Sequence, residues 1–295
     1  GLHVKQKVFF ENYPGKTGAP RLCEHYGSIS RIFDSQFYNI HYELRKPIRY
    51  DVSEYDLQGN NPVLTSTLYE YDSLNRLTTM KTTNSLNGEK GERYTYPKPN
   101  SALQRHNMVQ TIVQKDIFNN GKATERFVYY YPDDSICLKK IKHSYGTNDD
   151  MRTEYSYDSY DLYGNLLQYT RIDGTVISYL WGYNALYPIA EIVNASLSDI
   201  YNYLDKNRID NISQLVEPSV ADWEAINSLR DQLKTAQVST YKYKPLVGLI
   251  EKIAPSGLTT YYDYNSLGQL IQRGYKNKGG KNIIESYTYN LAKLY

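Results

Sequence analysis

The chain has 295 residues and 34 Lys plus Arg against 32 Asp plus Glu, and these charges are interspersed, so no basic run is available to track phosphates and a nucleic-acid partner is excluded. No apolar run approaches the ~20 residues of a membrane span, and two cysteines, Cys23 and Cys137, are too few for a disulfide framework. Tyrosine is the outlier at 33 residues against 6 Phe and 2 Trp; as a strand former with a polar tip it predicts a thin, Tyr-rich sheet with a wet face rather than a thick dry core.

Residues 1–49 carry short β-prone runs at 7–10, 31–39 and 40–44, broken by Pro14-Gly15 and by the stretch from Gly18 to Pro20. They predict an N-terminal cap of irregular strands, which a repeat array needs to cover its first edge. The opening Gly1-Leu2-His3-Val4-Lys5 has neither the charged start nor the apolar centre of a signal peptide, which points to a processed or engineered start with any export signal outside this chain. Cys23 and Cys137 either stay free or pair; Cys23-Glu24-His25 reads as a chance placement.

From residue 50 a frame of Tyr, Asp, two spacers, Gly, one spacer and Leu governs the chain. It stands at Tyr71-Asp72-Ser73-Leu74-Asn75-Arg76-Leu77, at Tyr160-Asp161-Leu162-Tyr163-Gly164-Asn165-Leu166 and, with Asn for Asp, at Tyr264-Asn265-Ser266-Leu267-Gly268-Gln269-Leu270. A further copy, Tyr55-Asp56-Leu57-Gln58-Gly59-Asn60-Asn61, lacks the closing Leu. Asp or Asn at the first turn position bonds the backbone two residues on, and Gly three residues later takes the left-handed conformation. Asn75 fills the Gly position and tolerates it best after Gly. The structural turn residues are therefore Asp56, Gly59, Asp72, Asn75, Asp161, Gly164, Asn265 and Gly268, each set forming a hairpin tip.

A second kind of turn alternates with these: Asn87-Gly88, Asn120-Gly121, Asp173-Gly174, Pro255-Ser256-Gly257 and Gly279-Gly280. A chain punctuated this way folds as an antiparallel hairpin meander, with its cleanest hairpin between 166–172 and 175–181. Tyr131-Pro132-Asp133-Asp134 stands where a frame would be. Tyr183-Asn184 opens a frame that loses its Gly at Tyr187-Pro188, so that turn must differ. Residues 195–237 break the pattern and predict two helices. Ser196 with Asp199 resembles a capping box before Leu197, Ile200, Tyr201 and Leu204; Pro218-Ser219 with Asp222 opens a second helix striped by Val220, Trp223, Ile226, Leu229 and Leu233. Strands resume at 238–243 and continue through 283–289. The predicted organisation is a cap over 1–49, a β-meander over 50–194, a two-helix insertion over 195–237 covering the sheet, and C-terminal repeats over 238–295 in the same sheet.

Catalytic motifs are missing: no Gly-x-Ser-x-Gly, His-Glu-x-x-His, phosphate loop or Gly-x-Gly-x-x-Gly occurs, and the five histidines have no ligand spacing. No enzyme, cofactor or metal is expected. The tip carboxylates Asp56, Asp72 and Asp161 are explained by the turns; a calcium site would want a second acidic ligand in each loop, and none is present. Tyr69 and Tyr71, Tyr155 and Tyr157, and Tyr262 and Tyr264 are i, i+2 pairs on single strand faces. They either stack across strands or form a platform for a sugar or a protein.

Tyr69-Glu70-Tyr71-Asp72-Ser73-Leu74-Asn75-Arg76-Leu77 resembles the YD repeat of Rhs and related bacterial cell-surface and toxin-delivery proteins, departing at Asn75. The resemblance runs from about Tyr50 to Tyr289. It implies a secreted or envelope-associated protein whose long antiparallel sheet can spiral into a shell and bind carbohydrate; with no catalytic motif in the chain, the expectation is a non-enzymatic exported scaffold with carbohydrate or protein at the cell surface as partner. The alternative is a shell segment or accessory of a toxin-delivery system. The array is short, and no Asp-Pro dipeptide of the family's self-cleaving segment occurs in it. The expected form is therefore an open, curved sheet or partial shell with a two-helix insertion.

Overall fold

The computed structural model describes residues 4–13, 21–24, 35–38, 44–55, 60, 63–85, 88–146, 150–277 and 280–289, with side chains from Lys46 onward. Within these residues the protein is mainly antiparallel β with four helices. It divides into two compact units, Gly1–Val128 with Ser144–Asp150, and Tyr129–His143 with Met151–Tyr295. Among the described residues no helix is long and apolar enough to cross a membrane.

The first unit contains β1 (Val4–Tyr13), β2 (Arg21–Glu24), β3 (Ser35–Tyr38), β4 (Leu44–Glu54), β5 (Val63–Tyr71), β6 (Leu77–Asn84), β7 (Glu89–Thr95), α1 (Ala102–Arg105), β8 (Gln114–Asn119) and β9 (Lys122–Tyr130), whose last two residues belong to the second unit. β1 pairs with β4, after which each strand to β9 pairs with its successor, while β2 and β3 form a separate hairpin. Most of its side chains are half-buried and polar, as in the Thr67–Thr82 hydroxyl pair 3.0 Å apart across β5 and β6. Among the described residues its buried apolar side chains are Ala102, Leu103 and Phe118. Phe118 lies over Gly91, where a Cβ would come 2.3 Å from its ring. This unit is the thin sheet that the tyrosine-rich composition predicts.

The second unit runs through β10 (Lys140–Tyr145), whose last two residues belong to the first unit, β11 (Arg152–Tyr160), β12 (Leu166–Arg171), β13 (Val176–Gly182) and β14 (Tyr187–Val193). After three helices, α2 (Leu197–Tyr201), α3 (Lys206–Gln214) and α4 (Val220–Gln232), the meander resumes as β15 (Gln237–Lys244), β16 (Gly248–Ile253), β17 (Thr259–Tyr264), β18 (Leu270–Asn277) and β19 (Gly280–Ser286). Each strand pairs antiparallel with the next.

The insertion has three helices where two were expected. Both capping boxes form: the Ser196 and Ser219 hydroxyls take the N–H of Asp199 and Asp222, and those carboxylates return to the cap N–H. The additional helix, α3, is capped by Asp205, whose side chain accepts the Arg208 N–H, and it buries Ile209 and Ile212. Val220 departs from the expected stripe and is exposed, while Trp223, Ile226 and Leu229 face inward. The expectation of a thin sheet fails here for a plain reason. The helices cover one face of β13–β15, so Leu180, Ile189, Ala190, Ile192 and Val238 join Ile200, Ile209, Ile212, Ile226 and Leu229 in one dry cluster.

Candidate functional site

The three described frames adopt one geometry. Asp72 Oδ1 accepts the N–H of Leu74 and of Arg76, both at 2.9 Å. Asp161 Oδ1 takes Tyr163 and Asn165 at 2.9 and 2.8 Å, and Asn265 Oδ1 takes Leu267 and Gln269 at 3.0 Å each. Asn75, Gly164 and Gly268 have φ of 63, 84 and 74°, the left-handed residue each tip demands. The residue after that position closes the tip a second time: Arg76 Nε and Asn165 Nδ2 donate to Asp72 and Asp161 Oδ2, while at the third tip Asn265 Nδ2 donates to Gln269 Oε1. Although burial opposes it, these donors hold the Asp72 carboxyl below its usual range. Asp56 and Gly59 lie outside the described residues.

The Tyr that opens each frame ties one hairpin to the one before it. Tyr71 donates its hydroxyl to the Pro47 carbonyl at 2.9 Å, Tyr160 to Leu138 at 2.5 Å and Tyr264 to Leu249 at 2.9 Å. The closing Leu of each frame offers its carbonyl to the next aromatic residue along the sheet: Leu77 to Tyr96 at 2.7 Å, Leu166 to Trp181 Nε1 at 2.9 Å and Leu270 to Tyr289 at 2.8 Å. Burial lifts the Tyr160 phenol to about 12, so the hydroxyl stays protonated and donates at neutral pH. Arg76 adds a third tie in the first unit, reaching the Val109 carbonyl while its guanidinium lies 4.4 Å over the Tyr96 ring.

Of the paired tyrosines, Tyr155 and Tyr157 meet in a ladder that crosses three strands. Their ring centroids are 6.5 Å apart; Tyr169 on β12 lies 6.2 and 6.0 Å from them, and Tyr179 on β13 stacks 6.3 Å beyond. Tyr179 pairs in register with Glu191, and its hydroxyl donates to that carboxylate at 3.2 Å. Leu180 and Ala190, the adjacent pair, point into the helix-covered cluster, so the ladder occupies the opposite face. Tyr241 on β15 continues this face, with Lys252 Nζ 5.5 Å from its ring centre. Burial raises the Tyr157 and Tyr179 phenols, so these groups are hydrogen-bond donors rather than bases at neutral pH. Because the rings pack against one another, they offer edges and hydroxyls more than open faces.

Tyr69 stands opposite Met80 and Tyr262 opposite Arg273, each half-buried and away from the ladder residues in the pairing order. Sequence reasoning missed Tyr169, Tyr179, Glu191 and Tyr241. The Asp173-Gly174 turn was the available signal, since the hairpin it sets brings β12 and β13 together. Cys137 is a half-buried free thiol. Among the described residues no group of three or more His, Cys, Asp or Glu is placed to hold a metal ion.

No protein-family model matches the chain, and no curated protein matches it. Solved structures similar to it include TcdB2-TccC3, TcdB2-TccC3-Cdc42 and a Photorhabdus luminescens Tc holotoxin pore. Each is 12% identical, with 97% of this chain covering 19% of that chain; the TM-score is 0.19 in each case. The chain thus spans about a fifth of the length of these toxin-complex chains.

Proposed function

We propose that this protein is an exported, non-catalytic repeat scaffold that binds carbohydrate along the tyrosine ladder of its second unit. The observation that carries this reading is the run of Tyr155, Tyr157, Tyr169 and Tyr179 across three strands, on the face that the helices leave uncovered. Packed phenols with Glu191 and Lys252 beside them give alternating apolar edges and hydrogen-bonding groups, the surface a polyhydroxylated chain needs. Tyr71 and Tyr264 already bond backbone carbonyls and serve the scaffold rather than the ligand. Screening the purified chain against a polysaccharide panel tests this. Binding that is lost in Tyr169→Ala and weakened in Tyr179→Phe, but kept in Tyr262→Ala, supports it; no binding to any polysaccharide, or binding that these ladder variants leave intact, overturns it.

A second reading is a shell segment that acts by enclosure and assembles with further chain. It is favoured by Ile283 and Ile284 on β19, both exposed, where Ile284 is the extra residue at a register shift against β18. A purified chain that stays monomeric at high concentration in light scattering removes this reading.

A further inference from the structure

The tyrosine ladder holds a chemistry that depends on no bound ligand. Tyr157 on β11 and Tyr169 on β12 stand directly opposite each other in the register, with ring centroids 6.0 Å apart and planes tilted by 30°, the shortest ring separation in the ladder. Opposed residues of an antiparallel pair hold their Cβ atoms about 4.5–5.5 Å apart, so the two rings leave the sheet side by side. Tyr155 extends the contact to the surface: its ring lies 6.5 Å from Tyr157 and 6.2 Å from Tyr169, and the residue is 39% exposed. Tyr69 and Tyr262, by contrast, stand opposite Met80 and Arg273. Tyr187 and Tyr243 stack more closely, at 4.8 Å, but they pack against the helix-covered cluster.

A phenol gives up a hydrogen atom to a one-electron oxidant, and the phenoxyl radical that remains carries unpaired spin on its ortho carbons. Such a radical moves between rings in contact by exchange of an electron, with the phenolic proton passing through water, so oxidation at Tyr155 reaches both half-buried neighbours. Two radicals on facing rings combine. One C–C bond forms between an ortho carbon of each, and the proton on each of those carbons shifts to the phenolic oxygen, which restores both aromatic rings. Hydrogen peroxide, acting through a haem peroxidase, takes up the two hydrogen atoms and leaves as two waters. The product is a dityrosine that ties β11 to β12. Among the described residues, neither strand gives a side chain to the dry cluster that holds β13–β15 together, so a covalent tie falls where apolar packing is thinnest.

We infer that Tyr157 and Tyr169 form an oxidative modification site, at which peroxide-driven oxidation joins their rings in a dityrosine bond. Treating the full chain, at high dilution, with hydrogen peroxide and a haem peroxidase tests it. The monomer is expected to lose two hydrogen atoms in mass, to gain dityrosine fluorescence, to melt higher and, after cleavage beside Asp158 and Asp161, to keep its Tyr157 and Tyr169 fragments joined. Tyr157→Phe and Tyr169→Phe keep the ring but have no phenolic hydrogen, and each is expected to lose the fluorescence, whereas Tyr262→Phe is expected to keep it. An oxidised monomer without dityrosine, a link that maps to Tyr187 and Tyr243 or to any other pair, or a yield unchanged in Tyr157→Phe and Tyr169→Phe overturns the inference. So do links found only between chains. No polysaccharide enters this assay, so its failure leaves the carbohydrate reading standing, and a chain that binds no glycan still meets the test.

Discussion

The Tyr264 hydroxyl reaches the Leu249 carbonyl at 2.9 Å by passing over Gly248, where a Cβ would stand 2.7 Å from that oxygen. Gly248 has φ of 151°, at the edge of the region favouring glycine. A hydroxyl removed from such a bond costs about 1 kcal/mol, so Tyr264→Phe is expected to destabilise by that amount. Gly248→Ala should cost more, through backbone and collision together. In a Tyr264→Phe background part of the collision disappears, and the two losses should sum to less than their separate values. A double-mutant cycle in urea measures this coupling; strict additivity would mean that the close approach carries no energy.

The left-handed positions give a second expectation. A Cβ on Gly164 meets nothing within 4 Å, so Gly164→Ala tests backbone strain alone and should cost about 1–2 kcal/mol. Asn75→Ala should lose about 1 kcal/mol at its φ of 63°. Asn75→Gly should be neutral to slightly stabilising, since both residues tolerate this backbone and the Asn75 carbonyl that accepts Lys46 Nζ is retained. Equal melts for Asn75→Ala and Asn75→Gly would show that the tip is not held in that conformation.

What the sequence made legible was local. Asp161, Gly164, Asp173 and Gly174 define tight turns through their own side chains and φ angles, and β12 and β13 fall within a residue of the expected spans. The Ser196 and Ser219 capping boxes were legible for the same reason. Helix α3 was not, because its two buried residues, Ile209 and Ile212, give too little periodicity in a polar segment; packing on β13 and β14 decides it. The turn at Tyr183, Asn184 and Ala185 was expected to differ, but three consecutive left-handed residues, φ 56–58°, could not be foreseen. They are held by carbonyls far along the chain, Leu215 and Ser213, which receive the Asn184 and Ala185 N–H groups. The hydroxyl ties from Tyr71, Tyr160 and Tyr264 were hidden likewise, since each partner is fixed by sheet register.

Acid should act through the helix caps. The Ser196 hydroxyl bonded to Asp199, and the Ser219 hydroxyl bonded to Asp222, hold both carboxyls below their usual range, with Arg208 assisting at Asp222. A depressed carboxyl contributes its full stability above the unfolded pKa, near 3.9, and loses it as pH falls through the lower folded pKa. Asp222→Asn is therefore expected to cost about 1 kcal/mol at pH 7, with the difference from wild type shrinking below about pH 4. Melting curves at stepped pH check the sign. A gap that stays constant to pH 2 would show that the charge at this cap is not what stabilises it.

The last expectation concerns where stability is stored. Ile226 and Leu229 are 0% exposed in the cluster that α4 forms with β13–β15, so Ile226→Ala or Leu229→Ala leaves a cavity that neighbours cannot fill and should cost about 2–5 kcal/mol. Leu68 on β5 is exposed, with Arg49 and Lys81 opposite it, and Leu68→Ala should stay within about 0.5 kcal/mol. Hydrogen exchange offers an independent reading. Amides of β13–β15 beneath the helices should be the slowest to exchange, and those of β5 and β6, whose described side chains include no buried apolar one, markedly faster. Helices serving only as a surface ornament would give equal protection in both sets of strands and a small effect of Ile226→Ala.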